Sequence, residues 1–206
     1  MTVDLRPQLI EAANLFYQRG WMIGTAGNLS AKASDDSFWI TASGKSKGKL
    51  QPPDFVRVSL QGALVESPFA QHRPSAETSI HQAIYSLFPQ AQACFHVHSV
   101  EANLVSRWAE GDRLPLPPIE MLKGLGIWDE NPEVAIPVFK NHPQVPQIAK
   151  EICDRFSQVP PTIPALLIAD HGVTVWAESI EIATNYLEVA EYLFRYRLAA
   201  QKAGLY

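Results

Sequence analysis

Cysteine is scarce. Cys94 and Cys153 are the only two in 206 residues, and both sit among apolar neighbours. They read as buried, reduced thiols rather than as a disulfide framework, which points to a reducing compartment and a cytoplasmic protein. Long apolar runs are missing as well. No stretch reaches the about 18 residues that a membrane-spanning helix needs, and Met1-Thr-Val-Asp-Leu-Arg-Pro has no apolar core of a secretory leader. Nor is there an excess of positive charge. Lys and Arg number 17 against 21 Asp and Glu, a formal net charge of -4, so no broad basic surface invites nucleic acid. What is present is a 47% hydrophobic chain, long enough for one core and too apolar for disorder. With no internal repeat and no composition break, residues 1–206 are expected to form a single domain.

The most informative stretch is Phe95-His96-Val97-His98-Ser99, at the end of an apolar run from Ala93. Side chains alternate along a strand, so His96 and His98 share a face and can converge on one ion. Ser99 is a good N-cap for a helix over Val100 to Ala109. The pair therefore stands at a strand end, where open α/β sheets place their ligands. A third candidate is His171. Asp170-His171-Gly172 lies between the β-rich runs from Ala165 and to Trp176 and reads as a tight turn. It is either an exposed turn histidine or a side chain projected into a cleft. Three imidazoles with one open position are the usual catalytic zinc arrangement. The other histidines are less promising: His72 and His142 lie in Pro-flanked loops, and His81 lies on a helix.

In chain order, Asp4 can cap a first helix that carries Leu5, Leu9, Ala12, Ala13 and Phe16 on one face and ends at Gly20. The loop Gly24-Thr-Ala-Gly-Asn28-Leu-Ser30 allows close backbone approach to a ligand, or is an ordinary loop. Leu29 to Ala33 and Phe38 to Ala42 read as a hairpin, as do Val56 to Leu60 and Ala63 to Val65. Between the hairpins, Thr41-Ala-Ser43-Gly44-Lys45-Ser46-Lys47-Gly48-Lys49 combines hydroxyls, amides and ammonium groups that suit a phosphate, though it lacks P-loop spacing. A solvated Lys-rich turn is the alternative. Ser75 is expected to cap the next helix, whose free N–H groups make another anion site. There Glu77 occupies a first turn, where the helix dipole favours a carboxylate in any case.

Farther on, Glu120 falls among Ile119, Met121 and Leu122 in a segment bounded by Pro118 and Gly124. A lone carboxylate in such company is costly to bury unless it has a role or a partner, and Lys123 could be that partner. Val134 to Phe139 reads as a strand, and Val145 to Phe156 and Ser179 to about Ala200 as helices. Aromatics on the last helix, including Tyr192 and Tyr196, hint at a contact between copies.

Taken in order, Gly27-Asn28-Leu29-Ser30, Thr41-Ala-Ser43-Gly44, Ser75-Ala-Glu77, His96-Val-His98 and His171-Gly172 resemble the class II aldolase/adducin family. The resemblance covers nearly the whole chain. It implies a single three-layer α/β domain with a central, mostly antiparallel sheet covered by helices. It also implies one Zn2+ per subunit on His96, His98 and His171, and a phosphate pocket from Asn28, Ser43, Gly44 and Ser75; the Lys-rich turn itself would add Lys45 or Lys47 nearby. Glu77 takes the place of the family's acidic residue ahead of the first histidine. Within the family, Thr41 to Gly48 together with Pro118-Ile-Glu-Met-Leu-Lys-Gly124 is similar to the branch that dehydrates 5-methylthioribulose 1-phosphate. That implies a hydro-lyase of methionine salvage, forming 5-methylthio-2,3-dioxopentyl phosphate through a zinc-stabilised enediolate, with Glu120 as acid/base. The alternatives are a zinc-dependent sugar-phosphate aldolase or epimerase using Glu77, and a non-catalytic adducin-like scaffold. The resemblance further implies a homotetramer with sites between subunits.

Overall fold

The computed structural model describes residues 4–205; Met1 to Val3, where the expected absence of a leader begins, lie outside them. The elements in order are α1 (Arg6–Gln18), β1 (Asn28–Ser34), β2 (Ser37–Thr41), β3 (Phe55–Ser59), β4 (Leu64–Glu66), α2 (Thr78–Leu87) and β5 (Ala93–Val97). Then follow α3 (Val100–Ser106), β6 (Arg113–Pro115), β7 (Ala135–Phe139), α4 (Val145–Gln158), β8 (Ala165–Ile168), β9 (Gly172–Ala177) and α5 (Ile180–Lys202). The strands form one sheet in the order β4-β3-β2-β1-β5-β9-β8-β7-β6. Neighbours are antiparallel except β7 and β8, which run parallel.

Alternation along the central strand β5 builds the two cores. Ala93, Phe95 and Val97 join Leu9 and Phe16 of α1 and Leu193 and Phe194 of α5 on one face. Cys94 turns to the other face, with Ile80 and Ile84 of α2 and Ile148 and Ile152 of α4. The period of 2 puts His96 on the α2 side as well. The result is the expected helix–sheet–helix sandwich.

The structure departs from the sequence reading at three element ends and at one strand. Ser75 does not cap α2, which opens at Thr78 with Glu77 in the cap position. The Thr78 backbone N–H and hydroxyl both donate back to the Ser75 carbonyl, which closes a separate turn over 75–77. At α1, Leu5 takes the cap position, because the Asp4 carboxylate is held by the Arg6 guanidinium and N–H. The helix capped by Ser99 stops at Ser106. Strand β6 runs into a proline-rich stretch, which suits the outermost strand of a sheet and hides it from sequence periodicity.

Candidate metal centre

Strand β5 delivers the histidine pair as its period requires. His96 is fully buried, and its Nε2 lies 2.9 Å from Nε2 of His98, just past the strand end. His171 enters from the β8–β9 turn, where Asp170 adopts a left-handed φ of 53°. The three rings stand edge to face, with centroids 4.5, 4.8 and 4.9 Å apart. Two glycines permit this convergence. A Cβ on Gly172 would lie 2.1 Å from the Val97 carbonyl oxygen, and one on Gly27 would lie 2.8 Å from that of His96. No larger residue could bring either segment so close to the ligand strand.

The fourth member is Glu77. Its Oε1 accepts from His171 Nε2 at 2.7 Å, and its Oε2 lies 3.6 Å from His96 Nε2. Ligand atoms of Glu77, His96, His98 and His171 all fall within 4.8 Å of one another. Burial pushes the Glu77 carboxyl up, but the three histidines that face it, His171 by a direct hydrogen bond, outweigh this and hold it well below the usual carboxylate range. Burial holds His96 well below the usual imidazole range, so its ring is neutral and free to ligate. Its other nitrogen, Nδ1, bonds the Thr174 hydroxyl at 2.8 Å, which aims Nε2 at the cluster. Three imidazoles and an adjacent carboxylate are a donor set that fits a divalent transition-metal cation.

A cleft of about 270 Å³ joins this cluster to the loops read from sequence. Asn28, Ser43, Gly44 and Ser75 line it together with Glu77 and His98. Of Lys45 and Lys47, Lys47 lines the cleft, whereas the Lys45 ammonium pairs with Asp54 at 2.9 Å. Lys47 is only 2% exposed and donates to the Thr25 and Lys45 carbonyls at 2.7 and 3.0 Å. Burial lowers its pKa to about 8. The Asn28 side chain is engaged within the protein: Nδ2 donates to Glu77 Oε2, and Oδ1 meets His81 Nε2 at 2.5 Å.

Glu120 is not where its apolar neighbours suggest. It opens a 3-10 segment, Glu120–Leu125, that buries Leu122 and Leu125. Its own side chain is 83% exposed and pairs with Lys123 at 2.8 Å. It does not line the cleft. The expected burial among apolar groups is therefore corrected, since a tight turn sends successive side chains in different directions. Sequence reasoning also misses His81 and Thr174. The fourfold spacing of Glu77 and His81 on one helical face is the one available hint.

A family model described as Class II Aldolase and Adducin N-terminal domain matches residues 7–198. The chain is 69% identical over 197 residues to a methylthioribulose-1-phosphate dehydratase of Microcystis aeruginosa, covering 96% of each. It is 47% identical to a protein of the same name from Leptospira biflexa, covering 91% of this chain and 93% of that one. The crystal structure of L-fuculose-1-phosphate aldolase from Thermus thermophilus superposes with a TM-score of 0.77 at 22% identity, over 97% of this chain and 95% of that one. That likeness speaks for the fold alone.

Proposed function

The chain belongs to the class II aldolase and adducin family, and from that premise we propose that it is a metal-dependent hydro-lyase that dehydrates 5-methylthioribulose 1-phosphate to 5-methylthio-2,3-dioxopentyl phosphate. The observation that carries the reading is the cleft. It sets a Glu/His₃ cluster beside small hydroxyl and amide donors, in a chain this similar to named dehydratases over nearly its whole length.

His96, His98 and His171 hold the ion, which we take to be zinc, one per subunit. When bound, the ion supplies Lewis acid strength at the ketose oxygens. Thr174 fixes the His96 ring. Ser43, Gly44 and Ser75 hold the phosphate, and the Lys47 ammonium supplies the neighbouring positive charge. Asn28 has one amide hydrogen left for the substrate. Glu77 keeps its charge beside the histidines. Glu120 donates the proton that the departing hydroxyl needs, a role worth about 10²–10⁴-fold in rate. Its exposure asks for a second copy of the chain to carry it to the cleft, in keeping with a homotetramer. The cytoplasm is the compartment proposed.

One observation favours a second reading. Glu77 stands inside the cleft and could serve as the base of a sugar-phosphate aldolase or epimerase. Incubation of the metal-loaded protein with 5-methylthioribulose 1-phosphate, followed by mass analysis, separates them. Loss of one water is the expected result. Two fragments would point to the aldolase, and an isomer of unchanged mass to the epimerase. An adducin-like scaffold would leave the sugar untouched, although that reading sits poorly with all three histidines in place.

A further inference from the structure

Behind Glu77 runs a chain of buried polar groups that metal and phosphate binding leave unexplained. Asn28 is 2% exposed, Ser30 and His81 are 0%, and Tyr85 is 1%. Asn28 meets Glu77 and His81, His81 Nδ1 meets Ser30 Oγ at 2.6 Å, and Ser30 Oγ meets the Tyr85 hydroxyl at 2.7 Å.

The direction of each bond follows from its neighbour. An ionised carboxylate only accepts, so Asn28 must turn its NH₂ to Glu77. That leaves the amide oxygen facing His81, which must answer with N–H at Nε2. A neutral ring with its proton on Nε2 has a bare Nδ1, so the Ser30 hydroxyl donates there and accepts from Tyr85. Burial keeps the ring neutral, with a pKa of about 4. Ser30 has a second acceptor in the Cys94 carbonyl, but at 3.3 Å against 2.6 Å to His81. The alternative, with the His81 proton on Nδ1, would turn the Asn28 oxygen toward Glu77 and set two acceptors against each other.

We propose that His81 is a positioning residue: its Nε2 proton locks the Asn28 amide so that Asn28 donates to Glu77 and holds that carboxylate against His171. The kinetic part of this inference rests on the activity proposed above; the structural part does not.

Two measurements test it. In protein labelled with ¹⁵N-histidine, long-range ¹H–¹⁵N spectra of the zinc-loaded chain distinguish the two tautomers of His81, assigned by the signal lost in His81→Gln. The Nε2–H form is expected; the Nδ1–H form overturns the proposal, whatever the chain catalyses. The second measurement compares His81→Phe with His81→Gln, whose amide N–H can replace Nε2–H. His81→Phe should lower kcat about 10- to 100-fold, the scale of a small misplacement, with KM nearly unchanged. His81→Gln should recover most of that loss. Equal losses in both variants, or a loss confined to KM, would count against positioning. If the unmodified chain leaves the sugar phosphate unchanged, the proposed activity fails while the tautomer still decides the role of His81.

Discussion

Glu77 and Glu120 both stand where a helical segment begins, Glu77 at the cap position of α2 and Glu120 as the first residue of a 3-10 turn. Their surroundings are opposite. Glu77 is 12% exposed and meets three histidines and an asparagine, while Glu120 is 83% exposed and meets one lysine. A buried carboxylate must be paired on every side to keep its charge. An exposed one needs no support, and it serves chemistry only where something else completes its site. The first is pre-organised within one chain; the second is not.

The largest expected effect breaks the first side of this comparison at the metal. His98→Ala should abolish turnover and lower bound zinc, and because His98 is the most exposed of the three ligand histidines it should disturb the fold least. Metal analysis and turnover on the same preparation check this, and full zinc retention would refute the site. Next comes Glu120→Gln, which should keep fold and metal but lose about 10²–10⁴-fold in turnover, because an amide cannot deliver a proton. Mixing that variant with His98→Ala should restore some activity if sites combine residues from two copies. Glu77→Gln should be milder in rate and show itself in metal affinity, lowered about 10- to 100-fold. Near-normal turnover for Glu120→Gln with collapse for Glu77→Gln would reverse the two roles and move the chemistry toward the aldolase.

The contrast also marks what the sequence makes legible. His96 and His98 declare themselves through the strand period, and His171 through a turn between two β-rich runs, because those signals are local. The strands of the sheet's centre are visible for the same reason. The placement of Glu120 is not, because hydrophobic neighbours in sequence are not neighbours in a tight turn: Leu122 and Leu125 go in, and Glu120 goes out. The bonds from His81 to Asn28 and from His96 to Thr174 link residues 53 and 78 positions apart. No periodicity encodes such pairs; they exist only once the sheet order places β1 and β9 on either side of β5.

A third glutamate sharpens the point about burial. Glu191 on α5 is 1% exposed and has no cluster of histidines beside it. Burial pushes its carboxyl up to about 8, an effect that Ser99 only partly offsets. The folded chain therefore holds a proton that the unfolded chain releases above its ordinary value of 4.5. That stability is fully present below about pH 4.5 and is lost as pH rises toward 8. His81 has the opposite sign. Its folded pKa of about 4 lies below the ordinary 6.5, so its contribution is present above about pH 6.5 and is lost as pH falls toward 4. Denaturation at several pH values should show Glu191→Gln removing the alkaline loss, on the order of a few kcal/mol, and leaving the acid loss in place.

The smallest effect concerns Ser75. As a helix cap, its replacement by Ala would cost about 0.5–2 kcal/mol. The structure removes that expectation, since α2 starts three residues later and no side chain caps it. The Ser75 hydroxyl accepts only a long bond of 3.3 Å from the Glu77 N–H, and the turn is closed by the Ser75 carbonyl, which Ala retains. Ser75→Ala should therefore shift stability by less than about 0.5 kcal/mol, as at an ordinary surface position. Ser75 nonetheless lines the cleft, where loss of its hydroxyl should weaken binding of the phosphorylated sugar by one neutral hydrogen bond, about 0.5–1.5 kcal/mol. Chemical denaturation and KM measured on the same variant separate the two. A fall in stability with unchanged KM would return Ser75 to the helix and take it out of the phosphate pocket.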